Sequence, residues 1–235
     1  AKSPENQSSS KKSSVPAKKA REKLPTELIP IPLWVLALKL PRKKNSDFHC
    51  NFMTAKAFMA NAPEWKGALR YDAFALRMEM AAPPPSPPWP EHPAGVEWLI
   101  RPWTDQDDRL SAEWLQRLRL YTLSLDTAAS AAETVARENT VDPLQDYLRR
   151  LVWDGTARVD AWLSEIFGAE PCAYHSAIGR RWLISAVARA MMPKGEPAKA
   201  DCMLILEGAQ GVGKGRCFEI LATRKAWYTD GIKQF

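Results

Sequence analysis

Long apolar runs and paired cysteines are both missing from this sequence of 235 residues. The most apolar stretch, residues 31–40, is shorter than the roughly 18 residues that a membrane-spanning helix needs, and it contains Pro32 and Lys39. The four cysteines show no C-x-x-C spacing, and no histidine pair accompanies them at the intervals typical of zinc sites. Residues 1–23 also lack the apolar core of a signal peptide. We therefore expect a cytoplasmic chain with reduced thiols, no membrane span and no metal-ligand cluster.

Positive charge is concentrated at the amino terminus. The formal net charge is +6, and residues 1–23 hold seven Lys or Arg against two Glu, so that this segment alone carries +5. A segment rich in Ser and Lys buries too little apolar surface to order itself. We predict a disordered basic linker over residues 1–23, and a DNA-binding arm is the alternative interpretation.

Residues 24–95 are predicted to form a variable upstream region. The prolines of residues 24–40 favour an extended segment, and a short helix over residues 54–61 is expected to end before Pro63. Residues 71–80 alternate apolar and polar side chains, which predicts one strand. Residues 81–93 contain seven of the 19 prolines and are therefore expected to form an irregular, polyproline-type loop.

Helical periodicity dominates residues 96–195. Thr104 provides a capping hydroxyl ahead of a helix that carries Leu110, Trp114 and Leu118 at four-residue spacing. Further helices are predicted over residues 126–138, 143–151, 159–166 and 176–192. Three of the ten tryptophans, Trp114, Trp162 and Trp182, fall on the apolar stripes of these helices. We therefore predict one compact helical bundle over residues 104–192, with the tryptophans in its core.

The pattern changes at residues 202–207 (CMLILE), an apolar run typical of a strand buried on both faces. The sequence GAQGVGKG follows directly, and residues 216–223 then have helical periodicity. Strand, glycine loop, lysine and helix is the order that a P-loop requires. Glycines let backbone N–H groups approach phosphate oxygens closely, the start of the helix attracts the anion, and the lysine reaches the β- and γ-phosphates. The predicted phosphate-binding residues are Gly208, Ala209, Gln210, Gly211, Val212, Gly213, Lys214, Gly215 and Arg216.

One position of this loop departs from the P-loop pattern. The residue after the lysine is normally Ser or Thr, whose hydroxyl binds Mg²⁺, but here it is Gly215. We expect ATP as the ligand and Lys214 as the catalytic lysine. We also expect an incomplete Mg²⁺ site, and therefore no hydrolysis by this chain alone.

A series of motifs accompanies the loop, and together they resemble the virulence-associated E family of phage and mobile-element replication proteins. The residues that carry the resemblance are Arg101–Asp105, Trp114–Gln116, Val135–Asn139, Asp142–Pro143, Tyr147–Leu148, Trp153–Thr156, Trp162–Leu163, Gly179–Arg189, Lys199–Asp201, Leu206–Gly208, Gln210–Gly211 and Trp227–Asp230. They extend over roughly residues 96–235.

The resemblance implies an ATP-driven helicase-type motor. Such a motor acts on single-stranded or origin DNA of a phage or other mobile element, beside or joined to a primase, and is expected to assemble as a homo-oligomer. The family's P-loop function carries over to Gly208, Gly211, Gly213 and Lys214, but not to Gly215, where the family has Ser or Thr. The family's acidic metal motif and inter-subunit arginine would lie beyond Phe235, so we interpret the sequence as part of a longer ATPase.

Two alternatives remain open. A nucleoside monophosphate kinase tolerates Gly after the lysine but has a hydroxyl residue where Arg216 stands. A non-catalytic module that binds DNA or a partner is the second alternative. The predicted fold is α/β with a large helical part: a helical bundle, followed over residues 196–235 by the first strand, P-loop and helix of a three-layer P-loop NTPase domain.

Overall fold

The computed structural model describes residues 31–43, 48–193, 196 and 199–231. Eight α-helices and four short strands lie within these residues, so the predicted α/β class with a large helical part is confirmed. The elements are α1 (Leu33–Ala37), α2 (Phe52–Asn61), β1 (Leu69–Asp72), β2 (Arg77–Met80), β3 (Arg101–Pro102), α3 (Asp105–Arg117), α4 (Leu125–Glu138), β4 (Thr140–Val141), α5 (Pro143–Arg150), α6 (Trp162–Phe167), α7 (Ala173–Met191) and α8 (Lys214–Leu221). The basic linker predicted over residues 1–23 lies outside the described residues.

Helix α1 corrects, at Leu33–Ala37, the prediction of an extended segment over residues 24–40, of which residues 24–30 lie outside the described residues. Pro32 stands immediately before the helix with φ −62°, and its carbonyl oxygen accepts hydrogen bonds from the N–H groups of Val35 and Leu36. A proline in that place precedes the first turn and does not interrupt it. Val35 is buried in the core, which gives the short helix its apolar anchor.

A β-hairpin replaces the single strand predicted over residues 71–80. The Asp72 carboxylate accepts hydrogen bonds from the N–H groups of Phe74 (2.8 Å) and Ala75 (2.9 Å), and Leu76 has a φ of +53°. An aspartate that bonds the backbone two and three residues ahead makes a turn. Strands β1 and β2 therefore occupy the two ends of this part of the chain, and the Asp72 turn divides them.

The four strands are hydrogen-bonded in the order β3-β2-β1-β4. Strands β2 and β3 are antiparallel, with Met80 opposite Arg101. Residues 81–93, between β2 and β3, contain no helix or strand, so the predicted proline-rich loop is confirmed as irregular. This loop contributes Trp89 to the core.

The predicted helices are confirmed to within a few residues at each end. Thr104 forms the N-cap of α3 in a capping box with Asp107. Helix α6 is closed by the C-cap residue Gly168, whose φ of +69° is the left-handed conformation typical of a helix end, and the Ala169 N–H donates to the Leu163 carbonyl oxygen. Among the described residues, no helix has the length and apolar character needed to cross a membrane.

The chain divides into two compact units. The first comprises the described residues up to Tyr71 together with Met78–Asn139, and α4 packs against both α2 and α3 in it. Its core includes Trp65, whose ring lies edge-on to those of Trp89 (5.3 Å between centroids) and Trp114 (5.6 Å). The buried position of Trp114 agrees with the prediction, whereas Trp65 and Trp89 belong to the core although they lie outside the predicted bundle.

The second unit comprises Asp72–Arg77 and the chain from Thr140 onward. Helix α7 packs against α5 and α6, so the helices predicted as one bundle are shared between the two units. Trp162 is buried, whereas Trp153, which lies between the predicted helices, is 76% exposed. Its indole N–H donates to the Thr156 carbonyl oxygen in a local turn, so its polar group is satisfied without burial.

The strand predicted over residues 202–207 is not formed. The segment has no regular secondary structure, and Met203 and Ile205 are 81% and 69% exposed. A strand exists only when a neighbouring strand pairs its N–H and C=O groups, and no strand in the described part of the chain lies beside this segment. The three-layer P-loop NTPase architecture therefore remains a prediction.

Candidate functional site

The glycine loop turns sharply into helix α8. Gly211 and Gly213 both have φ of +85°, a left-handed conformation that strains any residue with a Cβ atom. Gly213 is the N-cap of α8, so the helix begins at Lys214, two residues earlier than the sequence predicted. The glycines predicted from the motif are thus required by the backbone at these two positions.

The first turn of α8 presents unpaired N–H groups. The first hydrogen bond of the helix runs from the Cys217 N–H to the Gly213 carbonyl oxygen (3.0 Å). The N–H groups of Lys214, Gly215 and Arg216 precede it and therefore have no acceptor within the helix. No side chain caps this end. Such a helix start, with the positive end of the helix dipole, is suited to an anion.

The Lys214 side chain folds back over the loop. Its ammonium nitrogen donates hydrogen bonds to the carbonyl oxygens of Gly208 and Ala209, both at 2.9 Å. These two acceptors are neutral, so a phosphate oxygen is a stronger electrostatic partner for the ammonium group. The lysine is therefore held at the loop by contacts that an anion can replace.

The other predicted site residues have different surroundings. Arg216 extends along its own helix, where its guanidinium group pairs with the Glu219 carboxylate at 3.0 Å, and its side chain is 71% exposed. Gln210 lies at the exposed tip of the loop, and Val212 is 64% exposed. The structure therefore brings Lys214 to the loop and directs Arg216 away toward Glu219.

Gly215 has a neighbour that the sequence did not predict. A Cβ atom added at Gly215 would lie 3.5 Å from the hydroxyl oxygen of Tyr228. Tyr228 follows the short 3-10 turn Lys225–Trp227 and is partly buried. The signal in the sequence was the motif Trp227–Asp230, which carried the resemblance but received no role.

A cavity of about 670 Å³ opens beside the loop, within the second unit. This volume lies in the range of small-molecule and cofactor sites. Its wall is formed by the loop, by the irregular segment before it, by the end of α6 and by the beginning of α7. The lining residues are Leu163, Ile166–Ala169, Tyr174, His175, Ile178, Met203–Ala209, Val212 and Lys214.

The loop does not provide a site for a divalent cation. Gly215 has no ligand atom where Ser or Thr stands in the P-loop pattern, and Glu219 is paired with Arg216. Within the described ranges, no group of three or more His, Cys, Asp or Glu side chains is arranged to hold a metal ion. The residues at hand therefore fit a phosphate group and do not fit Mg²⁺.

The carboxyl-terminal part of the chain matches a known family. Residues 148–235 match the model of the Virulence-associated protein E-like domain, and this range includes the glycine loop, α8 and Tyr228. The resemblance stated from the motifs is thereby confirmed over these residues. No curated protein sequence matches the chain.

Proposed function

We propose that the loop Gly208–Lys214 binds the phosphate groups of ATP. On this proposal, the chain is the ATP-binding part of a DNA replication helicase or primase-associated ATPase of a phage or mobile element. The observation that carries the proposal is the return of the Lys214 ammonium group to the loop, 2.9 Å from the carbonyl oxygens of Gly208 and Ala209, directly at the start of α8.

Three sources of positive charge lie together at the start of α8. The backbone N–H groups of the first turn of α8 are unpaired, the helix dipole has its positive end there, and Lys214 adds a full charge. Each attracts an anion only modestly when exposed to water, but together they select a group with several oxygens. A triphosphate meets this requirement better than a carboxylate does.

The cavity beside the loop supports a nucleotide over a free phosphate. Lys214 and Gly208 line it at one end, and the apolar side chains of Leu163, Ile166 and Ile178 line it elsewhere. A ligand with a charged tail and a flat, mostly apolar base would use both kinds of surface. We therefore assign ATP to the site, with its phosphates at the loop.

The proposed role in replication follows from the family match over residues 148–235. We propose DNA, single-stranded or at an origin, as the macromolecular substrate of the whole machine, a primase domain or protein as its partner, and a homo-oligomer as its assembly. Because the residues at the loop do not fit Mg²⁺, we propose ATP binding without hydrolysis for this chain.

The test is a calorimetric titration of the 235-residue chain with ATP. We expect saturable binding that Lys214→Ala weakens at least about tenfold, because one full charge on the phosphates is lost. Lys66→Ala removes an exposed lysine of the first unit and is the matched control, which should leave the affinity unchanged. Equal affinities for the chain and for Lys214→Ala would show that ATP does not use the loop.

A further inference from the structure

Neither the backbone nor the available space requires a glycine at position 215. Gly215 lies inside α8, and its φ is not in the left-handed region. A Cβ atom there would meet only the Tyr228 hydroxyl oxygen, at the ordinary contact distance of 3.5 Å. The glycine therefore needs an explanation other than chain geometry.

The Tyr228 hydroxyl lies beside the place where the P-loop pattern has a side-chain hydroxyl. In a loop with Ser or Thr after the lysine, that hydroxyl is attached to the Cβ atom of this residue. Here the Cβ atom is absent, and the phenolic hydroxyl of Tyr228 lies 3.5 Å from where that atom would be. No hydrogen bond to another described residue occupies the Tyr228 hydroxyl.

Trp227 holds Tyr228 in this position. The Trp227 ring contacts the rings of Tyr147 (5.6 Å between centroids) and Phe74 (6.4 Å), and the Arg224 guanidinium group lies over it at 4.7 Å. The Tyr228 N–H donates to the Lys225 carbonyl oxygen. Because Trp227 is packed on several sides within the second unit, the turn that carries Tyr228 is held in place.

We infer that Tyr228 is a phosphate-binding residue that supplies the hydroxyl missing at Gly215. Its hydroxyl donates a hydrogen bond to a phosphate oxygen held at the start of α8. A neutral phenol is not among the oxygen ligands that Mg²⁺ prefers, so Tyr228 replaces the hydroxyl as a phosphate contact and not as a metal ligand. The inference rests on the proposed function and deepens it: nucleotide binding at this loop depends little on Mg²⁺.

The first variant is Tyr228→Phe, which removes only the hydroxyl. We expect the affinity for ATP to fall about tenfold, the size typical of a hydrogen bond to a charged group, and to fall equally in Mg²⁺ and in EDTA. Tyr121→Phe makes the same change in the first unit, is likewise partly buried, and should leave the affinity unchanged.

The second variant is Gly215→Ser, which restores a hydroxyl on the helix itself. The contact distance of 3.5 Å leaves room for the Cβ atom of the new side chain. In this background Tyr228→Phe should weaken ATP binding only about twofold or less, because the serine hydroxyl is then the donor. We also expect Gly215→Ser to make the affinity higher in Mg²⁺ than in EDTA, as a hydroxyl after the lysine binds the metal.

Three outcomes decide between the claims. If the chain binds ATP and Lys214→Ala weakens binding, but Tyr228→Phe binds as tightly as the chain itself, the role of Tyr228 is wrong and the proposed function stands. If Tyr228→Phe weakens binding equally with and without Ser at position 215, the hydroxyls are not interchangeable and the inference is also overturned. If the chain does not bind ATP, both claims fail together.

Discussion

Arg101 and Asp107 form a bidentate ion pair in the first unit. The two terminal guanidinium nitrogens of Arg101 each donate to a different carboxylate oxygen of Asp107, both at 2.7 Å. The indole N–H of Trp89 donates to the same carboxylate at 3.0 Å, and the N–H and hydroxyl of Thr104 donate at 2.9 and 2.8 Å. The proline-rich loop, β3 and the start of α3 are thereby joined at one buried side chain.

Asp107→Asn is expected to destabilise the first unit. Burial alone raises the pKa of Asp107, but the hydrogen bonds from Arg101, Trp89 and Thr104 outweigh it and lower the pKa to about 2 from 3.8. A lowered folded-state pKa adds stability above the unfolded pKa and loses it as pH falls through the folded value. This shift corresponds to about 2 kcal/mol at pH 7. Urea unfolding at pH 7 should show a loss of this size for the variant.

The pH dependence distinguishes the ion pair from a general packing defect. The difference between the chain and Asp107→Asn should shrink between about pH 4 and pH 2, as the carboxylate becomes protonated. Asp105→Asn changes an exposed carboxylate in the same helical turn and is the matched control. A stability difference that stays constant down to pH 2 would contradict the assigned role of Asp107.

Gly179→Ala is expected to destabilise the second unit. A Cβ atom at Gly179 would lie 2.5 Å from the indole nitrogen of Trp162 and 3.1 Å from the side chain of Leu163, both buried. Forcing extra volume into such a contact typically costs about 1–3 kcal/mol. Gly215→Ala is the matched control, since it also adds a methyl group inside a helix but meets no such obstacle. Thermal unfolding should show a lower midpoint for Gly179→Ala alone.

Phosphoryl transfer to a nucleoside monophosphate is not expected. The position that carries a hydroxyl in kinases of this type is Arg216, and its guanidinium group pairs with Glu219 away from the loop. A coupled assay with ATP and each of the common monophosphates measures this directly. Transfer above the background of a Lys214→Ala sample would favour the kinase alternative over the proposed replication ATPase.

Local features of the sequence predicted much of the fold. Thr104 and the stripe behind it located α3 because capping and helical periodicity involve residues a few positions apart. The Asp72 turn was also local, but the alternation of residues 71–80 is equally compatible with a continuous strand. Residues 202–207 show the limit: their composition is typical of a strand, whereas strand formation depends on distant partners.

The residues of the candidate site were likewise predictable only in part. The glycines of the loop were predictable because a left-handed backbone at Gly211 and Gly213 leaves few other residues. Tyr228 was not, because its approach to Gly215 depends on how Trp227 packs against Tyr147 and Phe74. Such contacts join segments far apart in the sequence, and single-sequence patterns do not encode them.

The central claim, that the glycine loop binds phosphate, is tested most directly by the backbone amide resonances of the 11 glycines. The ¹⁵N-labelled chain is titrated with tripolyphosphate, which offers the phosphates without a base or sugar. We expect saturable shifts at Gly211, Gly213 and Gly215, no shifts at Gly67 and Gly95 in the first unit, and loss of the response in Lys214→Ala. Unmoved loop amides, or shifts spread equally over all glycines, would contradict the account.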